Sequence, residues 1–269
     1  MQKLNWAVAA AIALSVLFSL AGCGGRPGPG AAVQAEAADN GVSADSCGNP
    51  VRYNEACLAM FELTGPVKNC MVENWQTGTA EGEYGQPDLM WGRDYGFNRR
   101  GYLVFDGCCE YTYRADTVFL YGEDARAGMS ASLTYDAAGR IVAQKLEYEG
   151  DAVGDGERST EFSYDDTGRL TRTYAVLWET GVETLYTYDT QGRLATRRET
   201  ASDYDGNTER IHTYEYVKFD EFGNWTQRKV TVKSTAVRPV EGAEHEQSEV
   251  VHEPDAYQFE TRKITYYEE

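Results

Sequence analysis

A seven-residue pattern recurs five times in the middle of this sequence and restricts the fold more than any other feature. Each copy has an aromatic residue, Asp or Asn, two variable residues, Gly, a polar or aromatic residue and an apolar residue. The copies, called turns 1 to 5 below, are residues 97–103, 135–141, 164–170, 188–194 and 219–225, with glycines 24 to 38 residues apart. Repetition of this kind indicates an array of similar structural units.

The pattern is that of a tight turn between two antiparallel β-strands. The aromatic residue ends one strand, and the acid accepts hydrogen bonds from backbone N–H groups ahead of it. The glycine takes the left-handed conformation that closes the hairpin. The predicted turn residues are Gly101, Asp136, Gly139, Asp165, Gly168, Asp189, Gly192, Asp220 and Gly223.

The stretches between the turns alternate in the way that strands do. Phe162 and Tyr164, for example, fall on one face, and Glu161 falls on the other. The sequence therefore predicts an all-β fold, an antiparallel meander of repeated hairpins in a large twisted sheet near the size at which sheets curl. Residues 236–254 are acidic and hold two prolines, so we expect a long loop there before a last strand at 258–267.

The N-terminus has the features of an export signal. Lys3 precedes an apolar run, and the run ends in Leu-Ala-Gly-Cys, which resembles the bacterial lipobox. We predict a signal peptide at residues 1–22 and lipid attachment at Cys23; the alternative is an uncleaved membrane anchor. A flexible tether of Gly, Pro and small residues follows at 23–46, and the β domain covers 47–269. Because Gly24 follows the cysteine, the outer membrane is the expected address.

The charge balance restricts the partners. The chain has 25 Lys and Arg against 43 Asp and Glu, which gives −18, and removal of residues 1–22 takes away Lys3 and leaves 24 − 43 = −19. Such a chain lacks the basic surface that neutralises phosphates, so nucleic acid is excluded as a partner. We expect contact with the membrane through the lipid, and a neutral glycan or a protein as ligand.

The turn motif resembles the tyrosine–aspartate (YD) repeat of rearrangement-hotspot (Rhs) proteins and teneurin-like proteins. Turns 2, 3 and 4 carry the full Tyr-Asp-x-x-Gly-Arg core, whereas turn 1 has Phe-Asn and turn 5 has Phe-Asp with Asn224. The resemblance covers about residues 62–267 and includes short YD-repeat lipoproteins. In large relatives the repeats enclose a cargo domain. This chain has too few copies and no cargo domain, so the container role does not transfer.

A search for reactive groups finds no catalytic constellation, so we expect no enzyme activity, no metal and no cofactor. The paired acids lie at turns, where they cap backbone N–H groups. Of the three histidines, His212 lies in a strand and is expected on the surface or in a groove, while His245 and His252 flank an acidic loop without a metal-ligand spacing.

Aromatic residues are the best lead to a binding site. The candidates alternate along neighbouring strands and are Tyr174, Trp178, Tyr214, Tyr216 and Trp225. On a solvated sheet face they would form a platform on which sugar rings or a peptide stack; the alternative is that they form the core.

The cysteines allow two interpretations. An exported protein permits disulfides, and the expected pairings are Cys47 with Cys57 and Cys70 with Cys108 or Cys109. The other interpretation is that the thiols are small buried hydrophobic groups.

These features favour a non-catalytic, lipid-anchored binding module of the cell envelope. The alternative is a structural envelope protein that associates with itself through sheet edges. A hydrolase ranks third because no catalytic residues emerged from the sequence.

Overall fold

The computed structural model describes residues 55–78, 88–107, 110–114, 117–121, 129–138, 140–148, 158–177, 180–203, 206–239 and 248–268. The signal peptide, Cys23 and the tether lie outside these ranges, as do Gly139 and Trp178. Within the described ranges, no helix has the length and apolar character needed to cross a membrane.

Within the described ranges, one short helix precedes fifteen strands. The helix is α1 (Glu55–Met60). The strands are β1 (Val67–Gly78), β2 (Asp88–Phe97), β3 (Leu103–Phe105), β4 (Glu110–Arg114), β5 (Thr117–Tyr121), β6 (Met129–Tyr135), β7 (Ile141–Tyr148), β8 (Arg158–Tyr164), β9 (Leu170–Leu177), β10 (Thr180–Tyr188), β11 (Leu194–Asp203), β12 (Gly206–Phe219), β13 (Trp225–Pro239), β14 (Ser248–His252) and β15 (Ala256–Tyr266).

All the strands belong to one antiparallel sheet, which confirms the predicted all-β meander. Consecutive strands pair from β1 to β13, and β15 pairs with both β13 and β1. The sheet therefore curls until its first and last strands meet. Among the described strands, only β14 has a hydrogen-bonded neighbour on one side alone, because it pairs with β13 and no other.

The prediction of a loop at residues 236–254 is wrong in part. β13 continues to Pro239, and β14 pairs with this end of it over Ser248–His252. The two prolines stand where a ladder tolerates them, because Pro239 ends one strand and Pro254 follows the other.

The described turns have the geometry that the motif requires. Gly101, Gly168, Gly192 and Gly223 have φ between 80° and 86°, the left-handed region. In turn 3, the Asp165 carboxylate accepts hydrogen bonds from the backbone N–H of Thr167 and of Arg169, each at 2.9 Å. Its second oxygen accepts from the Arg169 side chain at 2.8 Å. The acid thus fixes both the turn and the arginine that follows the glycine.

Turns 3 and 4 also each contact the preceding turn along the sheet. The Tyr188 hydroxyl of turn 4 donates to the carbonyl oxygen of Leu170 in turn 3 at 2.7 Å. The Arg169 guanidinium lies 4.8 Å from the centre of the Tyr188 ring, a cation–π contact. Tyr164 makes the same two contacts with Ile141 and Arg140 of turn 2. Tyrosine and arginine therefore recur because each joins two repeats.

The C-terminal tyrosines carry this contact back to the first turn. Tyr267 donates to the carbonyl of Phe97 at 2.7 Å, and Arg99 of turn 1 stacks on its ring at 4.7 Å. Tyr266 donates to the Asp220 carboxylate of turn 5 and accepts from the Asn224 amide. These contacts bring turns 1 and 5 to the same end of the curled sheet, called the turn end below.

Replacement of Gly223 tests the turn conformation without a steric clash, because a Cβ at this position meets no atom within 4 Å. We expect Gly223→Ala to lower the free energy of unfolding by about 1–2 kcal/mol, the cost of a left-handed non-glycine residue. Gly223→Asn should lower it less, since Asn tolerates this region. Urea denaturation of both variants measures the difference, and equal losses would contradict the assigned geometry.

Candidate binding site on the inward face

A lid formed by α1 and residues 61–64 closes the turn end of the sheet. Leu58, Met60, Phe61 and Leu63 are buried in the core, whereas Ala59 is exposed. Phe61 packs edge-on against Phe97 of turn 1, with ring centres 5.4 Å apart. The lid and the apolar residues of the turns therefore form the packed part of the interior.

Buried charges hold the lid in place. The Glu62 carboxylate accepts from the Tyr216 hydroxyl at 2.7 Å, from the Trp225 indole at 3.2 Å and from Arg228 at 2.6 Å. Arg228 also donates to Glu260 at 2.6 Å. Arg262 donates to the backbone carbonyls of the lid, at 2.7 Å to Phe61 and 3.2 Å to Glu62.

The charges in this cluster stabilise one another. Burial alone would raise the pKa of Glu62, but the Arg228 and Arg262 guanidiniums hold that pKa below its usual value. The Trp225 ring is in contact with both guanidiniums, whose central carbons lie 3.9 Å and 3.7 Å from its centre. Two cations thus face the two carboxylates of Glu62 and Glu260, and the cluster acts as a structural lock.

The predicted aromatic platform is wrong for the residues that the structure describes. Trp225 is only 2% exposed, and Tyr214 and Tyr216 pack against the core from the inward face. Tyr174 lies on the opposite, outward face beside Arg172, at 5.3 Å from its guanidinium. The core alternative applies to the inward rings, because these rings, unlike Tyr174, belong to the core or pack against it.

A polar row crosses the inward face beyond the lid. The strand register places Thr173, Thr184, Glu199, Arg210 and Ser234 opposite one another on β9 to β13. The first three of these side chains are buried, whereas the last two are half-buried. The neighbouring row, between this polar row and the lid, contains Tyr186, Arg197 and His212. Hydroxyl, carboxylate, guanidinium and imidazole groups are therefore concentrated on one wall.

Two groups of this row are buried without a hydrogen bond. The Glu199 side chain is 4% exposed and its Oε2 atom has no partner, and the Thr184 hydroxyl, fully buried, has none either. The two residues are directly opposite each other on β10 and β11. Buried polar atoms almost always have partners, because an unmade hydrogen bond costs about 1–3 kcal/mol.

Burial also changes the ionisation of the wall. Desolvation raises the pKa of Glu199, and the neighbouring Arg197 and Arg210 offset this only in part. Desolvation and the same two arginines lower the pKa of His212 well below its usual value. Arg197 lies 3.1 Å from His212 Nε2, and since a guanidinium only donates, the imidazole is neutral with its proton on Nδ1. His212, expected on the surface or in a groove, is buried.

The polar row escaped the sequence analysis because its members belong to no motif. Alternation along β10 and β11 places Thr184 and Glu199 on the same face as the buried Tyr186, and that is the signal that was available. A carboxylate at an inward position of a strand is unusual enough to mark a site.

Cys70 fits the second interpretation of the cysteines. It is a buried free thiol, and burial raises its pKa to about 11, so it behaves as a small hydrophobic side chain. Cys108 and Cys109 lie outside the described residues. Among the described residues, no group of three or more His, Cys, Asp or Glu side chains is placed to hold a metal ion.

Comparison with known proteins finds porin-like structures of low similarity. No protein-family model matches the sequence, and no curated protein matches it. A porin-like protein from Bacteroides uniformis is 12% identical over 76% of this chain and 98% of its own, with a TM-score of 0.42. Another, from Bacteroides vulgatus, is 12% identical over 75% and 98%, with a TM-score of 0.36. The resemblance to YD repeats stays a prediction from the residues.

Replacement of Glu199 by Gln tests the burial of the carboxylate. Because its pKa is raised in the folded state, the charged form destabilises the protein at pH 7, and this cost disappears as the pH falls below about 4.3, the pKa of an unfolded Glu. We expect Glu199→Gln to raise Tm at pH 7 by about 2–4 °C, or about 1 kcal/mol. The gain should vanish at pH 4 in thermal scans. A lower Tm at pH 7 would contradict the assigned environment.

Proposed function

We propose that this protein is a non-catalytic lipoprotein of the cell envelope that binds a small neutral polyhydroxylated molecule, such as a saccharide unit, on the inward polar row. The lipid anchor and tether come from the sequence. The binding wall comes from the register of β9 to β13, which brings Thr173, Thr184, Glu199, Arg210 and Ser234 together.

The observation that carries this proposal is the buried pair of Glu199 and Thr184. Both have polar atoms without a hydrogen bond, and the carboxylate has a raised pKa. A protein selected for stability alone would replace such groups with apolar ones. A ligand hydroxyl that donates to Glu199 Oε2 would satisfy the carboxylate and offset its desolvation.

The chemistry of the wall favours a polyol over a charged ligand. Hydroxyl groups both donate and accept, and the row offers carboxylate, hydroxyl and guanidinium partners within a few residues. Glu199 already faces the guanidiniums of both Arg197 and Arg210, so an added ammonium would put a third positive charge in a desolvated place. The mature charge of −19 also disfavours polyanionic ligands.

The inward face is packed and closed at the turn end and polar farther from it, an arrangement that suits a binding site. The lid and its charge lock close the turn end, and the polar row lies beyond them along the strands. Thr208, on the next inward row away from the lid, is half-buried like Arg210 and Ser234, so these residues meet solvent. We propose that the ligand reaches the polar row from the end of the sheet opposite the lid.

The alternative role, self-association through sheet edges, has less support. An edge role needs strands with unpaired backbone groups. Among the described strands, β14 alone has a free side, and it is only five residues long.

Calorimetric titration tests the proposal directly. The mature chain with Cys23→Ser is titrated with N-acetylglucosamine, its oligomers and maltose oligomers. We expect binding of at least one probe, weakened at least ten-fold by Thr184→Val, which removes a hydrogen-bonding hydroxyl, and by Glu199→Gln, which replaces a charged acceptor with a weaker neutral one. A factor of ten corresponds to about 1.4 kcal/mol.

Thr187→Val is the matched control, since Thr187 lies on the same strand but points outward toward Thr196. Its affinity should equal that of the wild type. Absence of binding for every probe, or equal affinities for the inward and outward variants, would overturn the proposal.

A further inference from the structure

We propose that the exposed apolar side chains of the β12–β13 hairpin insert into the interface of a zwitterionic lipid bilayer, so that the folded domain rests on the membrane by its turn end. The residues are Val217, Phe219 and Phe222, called the turn patch below. This inference rests on the lipid anchor of the proposed function and is independent of the ligand on the inward row.

The exposure of these side chains sets turn 5 apart. Val217 is 50% exposed, Phe219 37% and Phe222 41%. Six large hydrophobic residues are exposed within the described ranges, and three of them belong to this single hairpin. Grouped exposed apolar side chains indicate a contact surface, whereas isolated ones need no explanation.

Phe222 is anomalous within its own motif. The equivalent variable position is Arg100 in turn 1, Ala138 in turn 2, Thr167 in turn 3 and Gln191 in turn 4. The turn conformation therefore does not require an aromatic ring here.

The structure fixes the Phe222 ring in its exposed position. The ring packs on Tyr266, with ring centres 4.2 Å apart. It also lies next to Gly65, the residue that follows the lid. Thr64 donates to the Phe222 carbonyl at 2.9 Å. A ring that is supported in this way loses little conformational entropy on insertion.

The same contacts relate the patch to the membrane anchor. Thr64 belongs to the lid, and the lid continues N-terminally through α1 toward the tether and Cys23. The tethered chain thus joins the folded domain at its turn end. Aromatic side chains favour the interfacial region of a bilayer, where a rigid apolar wedge gains from burial.

The surrounding charges specify the kind of bilayer. Lys218 and Glu221 flank the patch with opposite signs, and the mature chain carries −19. The arginines of turns 2, 3 and 4 at the same end are each paired with the aspartate of their own turn, so anionic lipid offers little gain and long-range repulsion opposes it. Zwitterionic lipid is therefore the expected surface.

Tryptophan quenching tests the contact without relying on lipidation. The chain from residue 23, with Cys23→Ser and an N-terminal hexahistidine tag, is held on phosphatidylcholine vesicles through a nickel-chelating lipid. Phe222→Trp adds a fluorophore to the patch, and brominated acyl chains quench indoles that enter the bilayer. We expect at least two-fold stronger quenching of the added fluorescence than for Leu89→Trp.

Leu89 is a matched control because it is exposed to 47% and lies at the opposite end of β2 from turn 1, about 26 Å away along the strand. Adding Phe219→Ser to the Phe222→Trp chain should reduce the quenching.

Equal quenching at residues 222 and 89 would overturn the proposal. So would a turn patch that is buried in a dimer in solution, seen as a doubled mass that Phe219→Ser abolishes. Saccharide titration of the same chain stays a separate result, so failure of one proposal does not imply failure of the other.

Discussion

The contact between successive turns is the interaction on which the rest of the structure depends. In turns 3 and 4, the tyrosine hydroxyl donates to a carbonyl of the preceding turn, and the arginine of that preceding turn stacks on the ring. One such hydrogen bond contributes about 1 kcal/mol and one exposed cation–π contact about 0.5–1 kcal/mol. Repeated around the turn end, these contacts fix the register of neighbouring hairpins, and a fixed register decides which side chains face inward.

That register divides the inward face into two parts with different roles. Near the turns, the lid and the lock of Glu62, Arg228, Glu260 and Arg262 provide packing and paired charge. Farther from the turns, on β10 and β11, the Thr184 hydroxyl and Glu199 Oε2 have no hydrogen-bond partner. The stabilising contacts and the proposed binding groups thus occupy separate levels of one sheet, so we expect a variant such as Glu199→Gln to stabilise the fold and still weaken binding of the proposed ligand.

Local features of the fold were predictable from the sequence, whereas the long-range ones were not. The turns of Asp165 and Asp189 follow from local hydrogen bonding, so the seven-residue pattern contains their geometry. The inward position of Trp225 was not predictable, because alternation assigns residues to two faces but does not say which face the lid covers. The Glu199 site depends on pairing across five strands, which no single segment encodes.

The pairing of the first and last strands gives the sheet an inside, and a cross-link measures it most directly. Glu73 of β1 and Thr261 of β15 are directly opposite, and their side chains are 3.3 Å apart. We expect Glu73→Cys with Thr261→Cys to form an intramolecular disulfide, detected by peptide mapping, because paired Cα atoms lie within bridging distance. Glu73→Cys with Gln227→Cys, one strand farther and about 10 Å away, should not. Failure of the first pair to link within one chain, or equal linking of both pairs, would contradict the curled sheet.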